Sequence, residues 1–165
     1  MSKGVINFSN DNEYYTPKEF VQRFGSFDYD PATTKEKALD LNIPNYDTIE
    51  TDGLKQDWTK YKRIWINPPF TIKHLFFDKA FETYFESRSD IYILCPITFL
   101  TTKKFHNAIK KFGVGIKLYI PSGRVKFESG LGKESNSPAF GTVVIKIQDK
   151  FEIELIEIWA YRLMK

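Results

Sequence analysis

The sequence predicts an α/β fold with a mostly parallel sheet and helices on both faces. Apolar strand-length segments alternate with amphipathic helical segments, which is the order that builds parallel sheets. The strand segments are apolar without alternation, as expected for strands covered on both faces. A chain of 165 residues suits one such domain. We therefore expect a flexible N-terminus over residues 1–12 and a single domain over residues 13–165.

The N-terminal part of this domain begins with a helix-start signal. Thr16 is the expected N-cap residue, Pro17 takes the first helical position, and Glu19 completes a capping box. Gly25 ends the predicted helix. A short strand over residues 27–32 follows, and it stops at a proline with carboxylates at its end.

The α/β pattern becomes regular in the rest of the chain. Residues 128–138 are rich in Gly, Ser, Asn and Lys, which predicts a mobile surface loop. We expect the last two strands to form a closing antiparallel hairpin, because only a three-residue turn separates them. The predicted helices span residues 35–41, 72–86 and 103–112, the last with Thr102 as N-cap and Gly113 as its stop, and the predicted strands span 91–96, 116–120, 142–147 and 152–159.

The segment from Arg63 to Phe70 organises the domain. Ile64 to Ile66 form a short buried strand, which two prolines end because proline supplies no N–H to the sheet. The chain then carries the Asn67 amide and the Phe70 ring above the strand end. Open α/β sheets bind ligands at that position. The segment therefore predicts a functional site.

Composition excludes several other classes of protein. The single cysteine, Cys95, lies in an apolar strand, which indicates a reduced core residue in an intracellular protein. The sequence shows no signal-peptide pattern and no apolar run of membrane-spanning length, so we expect neither a secreted nor a membrane-spanning protein. His74 and His106 lack ligand partners at suitable spacing, so we expect no metal site. The net charge of +3 is too small to establish a polyanionic partner.

The Asn67 segment has a specific use toward an exocyclic amine. The Asn67 amide oxygen and the Pro68 carbonyl are acceptors in a rigid frame, able to hold both hydrogens of an amino group. Such bonds favour the pyramidal geometry that directs the nitrogen lone pair of adenine or cytosine toward an electrophilic methyl group. Phe70 can stack on the ring that carries the amine. Since Asn is no general base, the proton leaves after transfer, to water or a backbone group.

Several further motifs stand in order along the chain. They are Glu13-Tyr14-Tyr15-Thr16-Pro17, Phe27-Asp28-Tyr29-Asp30-Pro31-Ala32, Asp52-Gly53-Leu54 with Gln56-Asp57-Trp58, Asn67-Pro68-Pro69-Phe70, Gly123-Arg124-Val125-Lys126-Phe127, and Ser137-Pro138-Ala139-Phe140-Gly141. Together these motifs resemble the phage Dam-type DNA N6-adenine methyltransferases, a family that uses S-adenosylmethionine. The resemblance runs from about Glu13 to Ile147, and the combined motifs are far more specific than any one of them. One departure is the missing glycine-rich turn after the first strand.

The resemblance implies a Rossmann-like methyltransferase fold with S-adenosylmethionine over the strand ends. It leaves open whether Asp28 or Asp30 contacts the cofactor, and whether Trp58 belongs to the site or the core. The implied catalytic residues are Asn67, Pro68, Pro69 and Phe70, and the implied cofactor-binding residues are Tyr15, Thr16, Pro17, Asp28, Asp30 and Asp57.

The resemblance also implies duplex DNA as the partner and host cytoplasm as the location of a phage-encoded protein that protects phage DNA from restriction. The target adenine must flip out of the duplex to reach a concave pocket. Contacts to phosphates then offset the lost base stacking. The basic candidates for these contacts are Lys103, Lys104, Arg124, Lys126 and Lys133.

Two alternatives remain at the level of the sequence. An enzyme of the same fold can methylate RNA or a protein glutamine, because the Asn-Pro-Pro-Phe segment recognises an amine or amide and no particular polymer. A protein of this fold can also bind nucleic acid without catalytic activity, and the missing glycines favour this hypothesis. A measurement of S-adenosylmethionine binding distinguishes the enzyme hypotheses from the hypothesis of an inactive binding protein.

Overall fold

The computed structural model describes residues 15–130, 133–134 and 140–156, so the predicted flexible segment 1–12 lies outside the described residues. The helices are α1 (Lys18–Gln22), α2 (Lys35–Asp40), α3 (Lys73–Ser87) and α4 (Lys103–Phe112), with short 3₁₀ turns at Gly53–Lys55 and Ile97–Thr101. The strands are β1 (Tyr29–Asp30), β2 (Asn45–Tyr46), β3 (Arg63–Ile66), β4 (Asp90–Pro96), β5 (Gly115–Pro121), β6 (Glu128–Gly130), β7 (Lys133–Glu134), β8 (Thr142–Gln148) and β9 (Glu152–Ile156).

Seven of these strands form one sheet in the order β2-β1-β3-β4-β8-β5-β9. The pairs from β2 to β4 are parallel, with Tyr29 opposite Ile64 and Ile66 opposite Ile93. Only β8 runs against its neighbours among the described strands of this sheet. The predicted mostly parallel α/β fold is therefore confirmed.

The predicted closing hairpin is wrong in its pairing. Strands β8 and β9 do run in opposite directions, but β5 lies between them. Strand β8 inserts between β4 and β5, where Ile145 lies opposite both Ile93 and Leu118. Strand β9 pairs parallel to β5 at the edge of the sheet. An apolar strand buries more of its surface in the middle of the sheet, where both of its faces and both of its edges are covered.

Helices cover both faces, as predicted. On one face, α3 and α4 bury their rings, among them Phe77 and Phe105, against the outward residues of β3, β4 and β8. On the other face, Phe20 and Val21 of α1 pack with Trp65 and the alternate residues of the same strands. Cys95 is completely buried in the first of these cores, which confirms its predicted position.

Two local predictions need correction. Helix α1 has Pro17 as its N-cap residue and no side-chain cap, so Thr16 lies outside the helix and forms no capping box. The segment 128–138, predicted as a loop, contains the antiparallel pair β6 and β7, while residues 131–132 and 135–138 lie outside the described residues. By contrast, Thr102 caps α4 by accepting a hydrogen bond from Phe105 N, and Gly113 ends it, as predicted.

Candidate active site

The candidate site lies where the sheet reverses its strand order. From β1 the chain moves outward to β2, then crosses back to β3 on the opposite side of β1. In open α/β sheets, a ligand crevice forms at such a switch point, beyond the carboxyl ends of the strands. Asp30 ends β1 and Asn67 follows β3, so the structure brings these two predicted residues to the same edge, called here the carboxyl edge.

The Asn67 to Phe70 segment leaves β3 at this edge and leads directly into α3. Pro68 is buried, whereas Asn67 and Phe70 are half-buried. The Phe70 carbonyl accepts a hydrogen bond of 2.7 Å from Lys73 Nζ in the first turn of α3. The Phe70 ring meets the edge of Phe140 at 5.3 Å between centroids. These contacts hold the segment at both its backbone and its ring.

Asp30 is a buried carboxyl group, 2% exposed, at the end of β1. Its Oδ1 accepts a 2.9 Å hydrogen bond from Ala32 N. Burial raises the pKa of Asp30 to about 7, because desolvation outweighs the bond from Ala32. A buried carboxyl group at a ligand crevice is suited to a cationic ligand, which stabilises its charged form.

Asp47 is a site residue that the sequence does not single out. It follows the two-residue strand β2, and its backbone N–H donates to Asp30 O at 2.9 Å. Its Oδ2 accepts from the Tyr29 hydroxyl at 2.5 Å. Burial and Asp47 together raise the pKa of Tyr29 well above its ordinary value. A strand as short as β2 leaves no periodic pattern, so the only signal was an acidic residue after Asn45 and Tyr46.

Two buried hydroxyl groups lack a hydrogen-bond partner within the described part of the chain, and both lie near the carboxyl edge. Thr16 is 2% exposed, and Thr142, at the start of β8, is 4% exposed. A buried hydroxyl without a partner is uncommon and points to a group that binds there. Thr142 was missed in the sequence, where it stands as the polar first residue of an otherwise apolar strand.

A backbone bridge holds the segment around Thr16. Tyr15 N donates to Glu128 O at 3.1 Å, and Glu128 N donates to Tyr15 O at 2.9 Å. The Glu128 side chain in turn accepts from Lys37 in the first half of α2, whose N-terminal end faces the carboxyl edge. Tyr15 of the first motif and Glu128, which directly follows the motif at 123–127, therefore meet beside the site although they are far apart in the sequence.

The expected glycine after β1 is absent, but a glycine from another segment approaches the same turn. A Cβ atom on Gly53 would lie 1.9 Å from the Pro31 carbonyl oxygen, so no other residue fits without moving backbone. Asp52, which precedes it, adopts a left-handed conformation with φ of 53°. The Asp-Gly-Leu motif therefore packs directly on the turn that ends β1, and it closes the site from that side.

Two predicted cofactor residues lie away from this edge. The Asp28 carboxylate accepts from Lys62 N and Arg63 N at 3.0 and 2.9 Å, at the start of β3. Asp57 accepts from Thr59 and lies opposite the C-terminal half of α3, toward the other edge of the sheet. Its hydrogen bonds from Thr59 lower the pKa of Asp57. Trp58, by contrast, is 1% exposed and belongs to the core, where its Nε1 donates to Gly53 O.

The predicted basic residues fall into two groups. Lys103 and Lys104 line a cavity beside the Asn67 to Phe70 segment. Arg124 and Lys126 are exposed and alternate with the buried Val125 and Phe127. The side chain of Lys133 lies outside the described residues. Five basic residues were predicted to contact phosphates, and the four whose side chains are described lie on the surface or in an open cavity.

Two kinds of feature are absent from residues 15–130, 133–134 and 140–156. No group of three or more His, Cys, Asp or Glu residues there has the geometry of a metal site. None of the helices in that part of the chain is long and apolar enough to cross a bilayer.

Comparisons with known proteins identify the family of the chain. A family model described as DNA N-6-adenine-methyltransferase (Dam) matches residues 9–162. The DNA N-6-adenine-methyltransferase of Escherichia phage T1 is 30% identical over 156 residues, covering 85% of this chain and 64% of that relative. The chain thus spans slightly less than two thirds of the relative's length.

A likeness to a solved structure concerns the fold alone. The modification subunit of a proposed type I restriction enzyme from Vibrio vulnificus YJ016 superimposes with a TM-score of 0.54. The two chains are 10% identical, and the match covers 89% of this chain and 47% of the other. The likeness in fold therefore extends over most of this chain despite a large divergence in sequence.

Proposed function

The chain belongs to the DNA N-6-adenine-methyltransferase (Dam) family, and we propose that it transfers a methyl group from S-adenosylmethionine to N6 of adenine in duplex DNA. One observation carries the proposal. Asn67 and Pro68 leave β3 at the carboxyl edge beside the buried carboxyl group of Asp30. An acceptor pair for an amino group thus stands next to a pocket wall suited to a cationic cofactor.

S-adenosylmethionine, when bound, supplies an electrophilic methyl group on a positively charged sulfur. The residues of the carboxyl edge fit this cofactor. Asp30 offers a buried carboxylate for its amino group, and Asp47 offers a second carboxylate for ribose hydroxyls, as acidic residues do in related nucleotide sites. Thr16 offers a buried hydroxyl that has no hydrogen-bond partner among residues 15–130, 133–134 and 140–156. We assign Tyr15 and Pro17 to the same wall, because the bridge from Tyr15 to Glu128 fixes it.

The geometry favours Asp30 over Asp28 as the cofactor residue. Both oxygens of Asp28 accept backbone hydrogen bonds at the opposite end of the strand, where they join β1 to β3. Asp57 likewise faces the C-terminal half of α3. We therefore propose structural roles for Asp28 and Asp57, and a direct cofactor contact for Asp30.

Asn67, Pro68 and Phe70 perform the chemistry at the substrate. The Asn67 amide oxygen and the Pro68 carbonyl accept the two N6 hydrogens, so the nitrogen lone pair points out of the ring plane toward the methyl group. Pro69 keeps the segment rigid. Phe70 stacks on the adenine ring, held in place by its edge contact with Phe140. After transfer, the excess proton leaves to water or a backbone acceptor.

Duplex DNA must release the target base into this pocket. Flipping costs a few kcal/mol of stacking and pairing, which contacts to the phosphates offset. Lys103 and Lys104 line the cavity beside the site. Arg124 and Lys126 belong to the motif that directly precedes Glu128, the residue paired with Tyr15, and Lys133 follows Glu128 in the chain. We propose that these five residues contact phosphates, and that the enzyme modifies phage DNA in the host cytoplasm.

The test is transfer of an isotope-labelled methyl group to competing polymers. Purified protein and labelled S-adenosylmethionine are incubated separately with duplex DNA, RNA and a glutamine-containing protein. We expect label in duplex DNA, recovered as N6-methyladenine after digestion to nucleosides. Label in RNA or protein with none in DNA would replace the proposed substrate by one of those polymers.

Calorimetric titration with S-adenosylmethionine tests the alternative of an inactive binding protein. The buried Asp30, and the buried Thr16 hydroxyl that has no partner in the described part of the chain, lead us to expect saturable binding. Absence of binding at millimolar cofactor would contradict the enzymatic function altogether.

A further inference from the structure

A cavity of about 340 Å³ opens beside the Asn67 to Phe70 segment. It lies between the start of α3 and the start of α4, with Phe99 as its apolar wall. Its lining consists of Thr71, Lys73, His74, Phe99, Thr102, Lys103 and Lys104. The cavity is contiguous with the candidate site, since Thr71 follows Phe70 in the chain.

The lining of this cavity is cationic. Three of its side chains are ammonium groups, and among the described residues that line it none is acidic. Burial, with the nearby charge of Lys104, lowers the pKa of His74, so this imidazole is a neutral partner at pH 7. The nearest carboxylate that acts on His74 is Asp78, one turn further along α3 and exposed. The cavity is therefore suited to an anionic group with several acceptor oxygens.

Lys73 connects this cavity to the catalytic segment. Its Nζ donates to Phe70 O at 2.7 Å and lies 5.4 Å from the centre of the Phe99 ring. An ammonium group has three donors, and the bond to Phe70 uses one of them. The same side chain can thus hold the backbone of Phe70 and an anion in the cavity.

We propose that this cavity binds one backbone phosphate of the DNA strand that carries the flipped adenine, and that Lys73 is a positioning residue that couples this phosphate to the Asn67 to Phe70 segment. The inference rests on the proposed function. A phosphate fits the cavity and leaves room for its sugar or for water. Lysines act on phosphates as point charges and read no base, so the site contributes affinity and register without sequence preference.

The test compares Lys73→Met with Lys79→Met, a control on the same helix. Lys79 Nζ also donates to a backbone carbonyl, that of Leu54 at 2.8 Å, and lies 5.3 Å from the Trp58 ring centre, but it is remote from the cavity. A third variant, Lys104→Met, removes a cavity charge that has no part in holding Phe70. Calorimetric binding of S-adenosylmethionine shows that each variant is folded.

Two measurements separate the roles. The first is the salt dependence of binding to an unmodified duplex oligonucleotide without cofactor, where a lost phosphate contact lowers the slope of log K against log salt by about one. We expect this loss for Lys73→Met and Lys104→Met, and an unchanged slope for Lys79→Met. The second is the split between kcat and KM. We expect kcat to fall about tenfold or more only in Lys73→Met, because it displaces the catalytic segment.

Each contrary outcome has a distinct meaning. If Lys73→Met and Lys104→Met keep the wild-type slope, the cavity binds no phosphate and the proposal is overturned. If Lys73→Met lowers the slope of log K against log salt but keeps the wild-type kcat, the proposed coupling through Lys73 is overturned. If the slopes change as expected while the wild-type protein methylates no DNA, the phosphate site stands and the proposed function fails.

Discussion

Buried Lys37 and Glu128, whose side chain is 18% exposed, form an ion pair that joins α2 to the start of β6, with 3.0 Å between Nζ and Oε2. Lys37 is 3% exposed and also pairs with Asp40 at 2.8 Å. Because the Glu128 backbone pairs with Tyr15, the ammonium group supports the wall of the site that contains Thr16. A buried ammonium with two carboxylate partners is costly to leave incomplete.

Lys37→Met should therefore lower the free energy of unfolding by about 2–4 kcal/mol, because two carboxylates lose their common partner. Chemical denaturation of the cofactor-free protein at pH 7 measures this change. The control is Lys55→Met, which breaks an exposed pair with Asp52 and should cost less than about 1 kcal/mol. Equal effects of the two substitutions would contradict a special role for the buried pair.

Thr16→Val should weaken S-adenosylmethionine binding about five- to tenfold while leaving stability unchanged or slightly higher. The hydroxyl has no hydrogen-bond partner among the described residues, and the proposed bond to the cofactor that it would lose is worth about 1 kcal/mol. Thr83→Val is the control, since its buried hydroxyl donates to Lys79 O at 2.9 Å. Thr83→Val should lower the free energy of unfolding and leave the affinity for S-adenosylmethionine unchanged. Calorimetry and denaturation together distinguish the two patterns, and an unchanged affinity in Thr16→Val would exclude Thr16 as a ligand.

The buried carboxyl group of Asp30 predicts how the stability of the cofactor-free protein depends on pH. Its folded-state pKa of about 7 lies above its unfolded value, so its stabilising contribution is present below about pH 4 and is lost as the pH rises through 7. Asp30→Asn removes this loss. The free energy of unfolding of the variant, relative to that of the wild type, should therefore rise by about 2–4 kcal/mol as the pH rises from 4 to 8. A difference that stays constant over this range would show that Asp30 does not titrate as expected.

Phe70→Ala should lower kcat/KM for DNA by about 1–3 kcal/mol in transition-state free energy, since one contact between the ring and the base is lost. Phe70→Tyr keeps the ring and should retain most activity. Phe85→Ala, which removes an exposed ring on α3, serves as the control. Steady-state methylation at saturating cofactor measures all three. Full activity of Phe70→Ala would contradict stacking.

Much of this fold follows from local patterns in the sequence. The helix between Thr102 and Gly113 and the strand before Asn67 were both predicted, because capping residues, prolines and apolar periodicity act over a few residues. The site segment at the end of β3 was predicted for the same reason. Its position beside Asp30 follows from the parallel order of β1 and β3, which the α/β pattern implies.

The remaining features depend on contacts between distant residues. The apolar pattern of β8 is the same for a hairpin strand and for a central strand, so the sequence does not place it between β4 and β5. Strand β2 has only two residues and shows no hydrophobic period, so the sequence does not single out Asp47. Asp28 and Asp30 have the same chemistry two residues apart. Only the register of β1 against β3 assigns one to each edge of the sheet.

The central claim is that Asn67 holds the N6 amino group of adenine in DNA. Its most direct test is nucleoside mass spectrometry of DNA from cells that express the wild type or Asn67→Ala, using cells without their own adenine methylation. The account predicts N6-methyladenine with the wild type and none with Asn67→Ala, while calorimetry shows near-normal cofactor affinity in the variant. Wild-type levels of N6-methyladenine with Asn67→Ala would contradict the mechanism.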